Sequence, residues 1–173
     1  LVQLRRDGTF RLNLTYFSFH VKPGRYEGYV SDKFKSQYGP ARASTEAITD
    51  RHINIASSLQ QLLEEVALHL AQGLYSAFPS SNLCVAGGVA LNSVMNYRLA
   101  TETPFDNLYI QPAANDSGTS LGAAYYVYNT ILGAKRRFVM EQADLGPSYS
   151  DEQIKAVLDE AKITYTACPD PAK

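Results

Sequence analysis

The chain has 173 residues, which at roughly 150 residues per domain corresponds to one domain, or one domain and a piece of a second. Its 16 Lys and Arg against 17 Asp and Glu leave a formal charge of −1, so no basic excess exists to condense on phosphate backbones, and nucleic acid is not an expected partner. With 45% hydrophobic and 19% charged residues, the composition supports an ordinary core and excludes the low-hydrophobicity class of disordered chains.

The opening LVQLRRDGTFRLN has no initiator Met and no signal-peptide pattern, and reads as an internal segment. Val2 and Leu4, then Phe10, Leu12 and Leu14, recur at period two about Asp7-Gly8, which predicts a hairpin closed by a tight Asp-Gly turn. Over residues 16–44 aromatics fall at no fixed period, and Pro23-Gly24 and Gly39-Pro40 punctuate the run. This is loop with one short helix near residues 31–37, its aromatics either packing the loop onto the domain, the favoured reading, or lining an acceptor-sugar groove.

Across residues 48–78, Ile55, Ala56, Leu59, Leu62, Leu63, Val66, Leu70, Leu74 and Phe78 follow steps of three and four, predicting a long amphipathic helix. No apolar run approaches the roughly 18–20 residues of a membrane span, and Glu64, Glu65 and His69 interrupt the longest helical pattern. No membrane partner is expected. Cys84 and Cys168 form neither a CxxC pair nor a disulfide framework, which fits a cytoplasmic protein. His52 and His69, far apart on the helix, read as surface or capping residues rather than metal ligands, and the Arg5-Arg6 and Lys135-Arg136-Arg137 groups as solvated charge.

Pro79, Ser80, Ser81 and Asn82 end the helix, and LCVAGG reads as a short, fully buried strand with Cys84 in the core, running into a glycine pair. VALNSVMNYRLATE resumes a helical period. Residues 107–111 form a second short strand, residues 112–118 a turn of small residues, and SLGAAYYVYNTILG a helix closing near Gly133. The order is α/β with short central strands. After Lys135-Arg136-Arg137 the character changes, which places a domain boundary between residues 135 and 145. Ser150 with Gln153 has capping-box spacing for a helix reaching about Lys162, and ITYTA, residues 163–167, reads as a strand.

Two strand-to-helix turns carry the chemistry. In Ala86-Gly87-Gly88-Val89-Ala90-Leu91-Asn92, two glycines remove the Cβ atoms that would hold a ligand off the backbone, and free N–H groups at a helix start favour an anion. Asn92 places an amide within reach of a ribose or phosphate oxygen. In Ala113-Ala114-Asn115-Asp116-Ser117-Gly118-Thr119, Asp116 is flanked by small residues, open to a bulky ligand or a metal, with Ser117, Gly118 and Thr119 N–H groups following. Each turn also has a plain structural explanation: a tight connection for the glycine pair, a helix N-cap for Asp116. Together they point to a phosphate-bearing ligand between two helix starts.

AGGVALN (residues 86–92), NYRL (96–99) and IQPAANDSGTSLGAA (110–124) closely resemble the O-carbamoyltransferases of nodulation-factor and antibiotic biosynthesis, the nodulation-protein-U type. The resemblance extends through DGTFRLN, YFSFH, KFKSQYGPAR, RHINIASSLQQLLEE and LGPSYSDEQI to nearly the whole chain. It implies an enzyme of two modules. A YrdC-like one makes carbamoyl-adenylate from carbamoyl phosphate and ATP. The other, with the actin-like ATPase (ribonuclease H-like) fold, passes the carbamoyl group to a hydroxyl of a sugar or oligosaccharide.

Residues 1–140 then resemble the C-terminal part of the transfer module, and residues 141–173 a linker and the first elements of the other. By the same resemblance Gly87, Gly88, Asn92, Ser117 and Gly118 are nucleotide-binding and Asp116 is a ligand of iron(II) or another divalent metal. The family's HxxxH metal-binding pair has no counterpart among His20, His52 and His69, and its arginine-rich carbamoyl-phosphate site is absent too. This stretch alone is therefore expected to be inactive without the missing N- and C-terminal parts. Asn115 stands where the family usually has Gly. Alternatives are another actin-like enzyme, a threonylcarbamoyl transferase or sugar kinase, and a non-catalytic nucleotide-binding or interaction module that self-associates into a homo-oligomer through an uncovered apolar face.

Overall fold

A computed structural model describes residues 1–21, 29–140, 144, 146–166 and 168. These form two compact units, residues 1–136 and 137–173. The first opens with β1 (Val2–Leu4) and β2 (Phe10–Leu12), antiparallel with Val2 opposite Leu12 and Leu4 opposite Phe10.

The hairpin turns at Asp7-Gly8 as expected, with Gly8 in the left-handed region. Gly8 N–H donates to Arg5 O (3.2 Å) and Arg5 N–H to Thr9 O (2.8 Å), and Gly8 alone takes a left-handed φ of +80°. Asp7 keeps a negative φ and instead accepts from the Thr9 N–H (3.0 Å) and hydroxyl (2.6 Å). The turn rests on the long helix: His69 Nε2 lies 2.9 Å from Arg5 O and 3.1 Å from Thr9 O. One turn further along, Gly73 meets Gly8 backbone to backbone.

Helix α1 (Asp32–Tyr38) is capped by Ser31, whose hydroxyl accepts from Phe34 N–H. Local aromatic packing surrounds it: Phe34 and Tyr38 rings lie 4.7 Å apart, Tyr16 and Tyr38 6.4 Å. Pro23-Gly24 and Tyr26 lie outside the described residues. Helix α2 (Asp50–Ala77) matches the expected span closely, and His52 closes its capping box, Nδ1 accepting from Thr49 N–H at 3.0 Å. Arg51 donates to Tyr38 O (2.7 Å) and Pro40 O (3.1 Å), tying the end of α1 to the start of α2.

Strand β3 (Asn82–Val85), helix α3 (Ser93–Glu102) and strand β4 (Asn107–Ile110) form a β-α-β unit, the strands parallel with Asn82 opposite Asn107 and Val85 opposite Ile110. A parallel pair needs such a crossover, and a helix supplies it. The core lies between α2, α3 and this sheet: Ala71, Leu83, Met95, Leu99 and Phe105, flanked by Leu63, Leu68, Tyr75, Val85 and Leu108. Tyr75 meets Phe105 edge to face at 5.4 Å.

β3 is not the fully buried strand expected. Leu83 is buried, Cys84 exposed. With a single strand beside it, the sheet has one covered face, and the pleat turns Cys84 to the other; Cys84 is therefore not a core residue.

Beyond β4, α4 (Thr119–Tyr125) passes directly into a π-helical turn, Tyr126–Ile131, and Gly133 ends it at φ +62°. In the second unit α5 (Asp151–Glu160) starts at the expected Ser150–Gln153 capping box. It ends earlier than Lys162, which sits at φ +55° as Lys162 N–H donates to Asp159 O and Ile163 N–H to Leu158 O, closing the last carbonyls. Residues 163–166 are not a strand. No described strand lies alongside to supply ladder partners, and Tyr165 folds back to donate to Asp159 Oδ1 at 3.1 Å. Ala167 lies outside the described residues. No helix among those described is long and apolar enough to cross a membrane.

Candidate functional site

Parallel pairing of β3 and β4 brings their C-terminal ends together, and with them the two turns. They are bonded directly: Gly87 N–H donates to Ala114 O at 2.7 Å. Gly87 takes φ +97°, which favours glycine, but Gly88 does not, and a Cβ on either residue would meet nothing within 4 Å. Local sterics explain the first glycine of the pair and not the second. A 3₁₀ turn, Gly88–Leu91, follows with no side chain capping its start. Among the described residues the N–H groups of Gly88 and Val89 make no hydrogen bond, and both residues are exposed.

The second turn is organised differently from expectation. Asn115, not Asp116, is the cap: its Oδ1 accepts from Ser117 N–H at 3.1 Å. Gly118 N–H donates to Asn115 O and Thr119 N–H to Asp116 O. The three amides expected to be free for a ligand are thus consumed within the 3₁₀ turn Asp116–Gly118. A glycine is needed at 118 because a Cβ there would stand 2.1 Å from Ala113 O. The capping role of Asn115 leaves Asp116 exposed, its carboxylate engaged by no bond or ion pair among the described residues. That releases Asp116 from the structural role that competed with ligation.

Asn92 follows directly on the Gly88–Leu91 turn, where it also caps α3, Oδ1 accepting from Met95 N–H at 2.9 Å. Its amide pairs reciprocally with Gln60 of α2: Asn92 Nδ2 donates to Gln60 Oε1 (2.8 Å) and Gln60 Nε2 to Asn92 Oδ1 (3.1 Å). One Nδ2 hydrogen of Asn92 is left over. Asn96, from the same quoted block, donates to Ala90 O at 2.7 Å while its Oδ1 is buried without a partner.

Behind Asn92 runs a polar chain not anticipated from sequence. Gln60 Nε2 donates to Glu64 Oε1 (2.7 Å), Arg98 Nη1 to Glu64 Oε2 (3.0 Å), and Arg98 Nε and Nη2 to the two oxygens of Glu102 (2.7 and 2.8 Å). Gln60/Glu64 and Arg98/Glu102 are both i,i+4 pairs, a signal visible in the sequence; that the two pairs face each other was not. The Gln60 amide, then Arg98, hold the Glu64 carboxyl below the ordinary glutamate value of 4.5, and Arg98 does the same for Glu102.

Between the lowered folded values and 4.5 the unfolded chain binds more protons than the folded one, so stability rises with pH there. It is complete above that window and lost on acidification through it. Melting curves should show a fall below pH 4.5 that is shallower in Gln60→Leu. Equal acid slopes would contradict the assignment.

A transition-metal site generally takes three or more protein ligands. Among the described residues no group of three or more His, Cys, Asp or Glu is placed to hold a metal, so Asp116 does not make such a site with its described neighbours.

The family model described as "Carbamoyltransferase N-terminus" matches residues 1–125. An uncharacterized protein of Synechocystis sp. is 40% identical over 163 residues, covering 91% of this chain and 26% of that protein. Nodulation protein NolO of Bradyrhizobium diazoefficiens is 35% identical over 105 residues, 61% of this chain and 19% of the relative. Nodulation protein U of the same organism is 41% identical over 64 residues, 36% of this chain and 11% of the relative. The chain therefore spans about a quarter, or less, of the length of these relatives.

Proposed function

The chain belongs to the carbamoyltransferase family, and from that premise we propose that it is the nucleotide-contacting part of an ATP-dependent O-carbamoyltransferase. In this reading the whole protein forms carbamoyl-adenylate from carbamoyl phosphate, ATP and water, releasing phosphate and pyrophosphate. A hydroxyl of a sugar or oligosaccharide then attacks the carbamoyl carbon and gives up its proton, and AMP leaves with the electrons of the broken anhydride bond. Residues 1–140 belong to the transfer module and residues 141–173 to a linker and the start of the adenylate-forming one. The protein works in the cytoplasm on small molecules.

The single observation that carries this reading is the open floor at Gly87-Gly88, bonded edge to edge to the Asp116 turn. Of the residues first considered, Gly87 and Gly88 offer close approach, and Gly88 and Val89 offer unpaired N–H donors to an anionic phosphate. Ser117 and Gly118 act by shaping the second turn, their own amides being spent. Asn92 contributes at most its one remaining N–H. Asp116 would give one ligand to a divalent metal such as iron(II), the others coming from outside these residues.

Gly88→Ala tests this without disturbing the fold. Its Cβ meets nothing within 4 Å and its φ is not left-handed, so melting in the absence of nucleotide should be unchanged or stabilised by about 0.4–1 kcal/mol. The rise in melting temperature that ATP confers on the full-length protein should be largely lost. An undiminished ATP shift in Gly88→Ala, or none in the wild type, would refute the assignment. A second reading, an interaction module without chemistry, draws on the exposed apolar run Tyr126, Val127, Ile131 and Leu132. Formation of AMP together with a carbamoylated acceptor separates the two.

A further inference from the structure

The chain of bonds from Glu102 to Asn92 has a direction imposed by chemistry. A carboxylate has acceptors only, and a guanidinium donors only. Glu64 is 8% exposed and receives Arg98 on one oxygen and Gln60 on the other. The end of the Gln60 amide facing Glu64 must therefore be the NH2, and that same nitrogen donates to Asn92 Oδ1 while Gln60 Oε1 receives Asn92 Nδ2. The orientation of Asn92 follows, and with it the acceptor that Met95 N–H uses at the start of α3. Asn92 N–H in turn closes the 3₁₀ turn by donating to Val89 O at 3.0 Å.

We infer that Glu64, acting through Gln60, is a positioning residue: it sets which way the Asn92 carboxamide faces and so holds the Gly88–Leu91 turn in the form presented to ligand. Its purpose rests on the nucleotide reading above; its geometry does not.

The isosteric Glu64→Gln substitution exposes the mechanism. Arg98 still demands an oxygen, so the new amide turns its NH2 toward Gln60 and meets another NH2. Relief requires Gln60 to invert, then Asn92, and an inverted Asn92 points NH2 at Met95 N–H and loses the cap. Adding Arg98→Met removes the demand, lets residue 64 present oxygen to Gln60 again, and restores the original polarity. Loss of packing alone could not be repaired by a second deletion.

Hydrogen–deuterium exchange of peptides covering residues 86–96, with ATP affinity in parallel, reads this out in the full-length protein. E64Q should raise exchange there and weaken ATP binding about tenfold, the worth of one or two positioned hydrogen bonds. The E64Q/R98M double variant should recover both. Gln61→Leu, which breaks the exposed neighbouring Gln61–Glu65 pair (2.9 Å), should change neither. Unchanged exchange in E64Q, or no recovery in the double variant, overturns the inference. If exchange responds and recovers while neither wild type nor variants bind ATP, the positioning role stands and the nucleotide reading falls.

Discussion

Gly118→Ala should be among the most damaging single-methyl additions in this chain, lowering stability by about 3 kcal/mol and melting temperature by roughly 6–12 °C at this size. The added Cβ would stand 2.1 Å from Ala113 O and 3.2 Å from the Ala113 carbonyl carbon. Neither is the end of a flexible side chain, so relief requires the backbone to move. The segment that must move is held at both ends, by Ala114 O accepting from Gly87 N–H and by the Asn115 cap on Ser117. The damage should therefore reach the first turn, and ATP binding should fall along with stability. Gly88→Ala, in contrast, is expected to separate the two. A melting temperature within 2 °C of wild type for Gly118→Ala, roughly 1 kcal/mol at most, would show that the turn relaxes freely.

The second large effect lies in the N-terminal hairpin. Gly8→Ala should cost about 2–4 kcal/mol, because it combines a left-handed φ that costs an L residue roughly 1–2 kcal/mol with a Cβ 2.6 Å from Gly73 Cα. Gly73→Ala makes the reciprocal clash, its Cβ 2.5 Å from Gly8 Cα. It lies inside α2, where alanine is favoured over glycine by about 1 kcal/mol. Backbone overlap outweighs that gain, so Gly73→Ala should still destabilise, by less than Gly8→Ala. Either change lifts the hairpin turn off α2 and breaks the His69 bonds to Arg5 O and Thr9 O.

Because the clash is shared, the double variant should cost markedly less than the sum of the singles, a coupling that thermal or denaturant melts can measure. Additive losses would mean that hairpin and helix do not bear on one another as described.

Much was legible from the residues alone because it depends on short-range physics. The three-and-four spacing from Ile55 to Phe78 specifies a helix, and α2 is found at Asp50–Ala77, but of that stripe Val66 alone is buried while Leu59, Leu70, Leu74 and Phe78 are exposed. Ser150 with Gln153 specifies a capping box, since the reciprocal bonds span one turn. The two short strands and the small-residue turns following them were equally readable, as was the family resemblance that the match over residues 1–125 supports.

What failed did so where a partner distant in sequence decides. The predicted strand at residues 163–167 has strand composition, but ladder bonds need a neighbour that no described residue supplies. Cys84 sits in an apolar run, but a strand with one covered face exposes every second residue. Asp116 was the cap weighed from the sequence; the backbone path makes Asn115 the cap and leaves Asp116 open.

The sequence by itself thus determined most of the helices, the paired short strands, the Ser150 cap and the family, because those follow from contacts within a few residues or from patterns of letters. Only the tertiary structure joined Gly87 to Ala114 and threaded Asn92, Gln60, Glu64 and Arg98 into one chain. Apart from the i,i+4 link of Gln60 to Glu64, those bonds cross 27 to 34 positions between helices and turns. A hydrogen bond's few-ångström reach makes such pairing a property of packing, invisible to any local window.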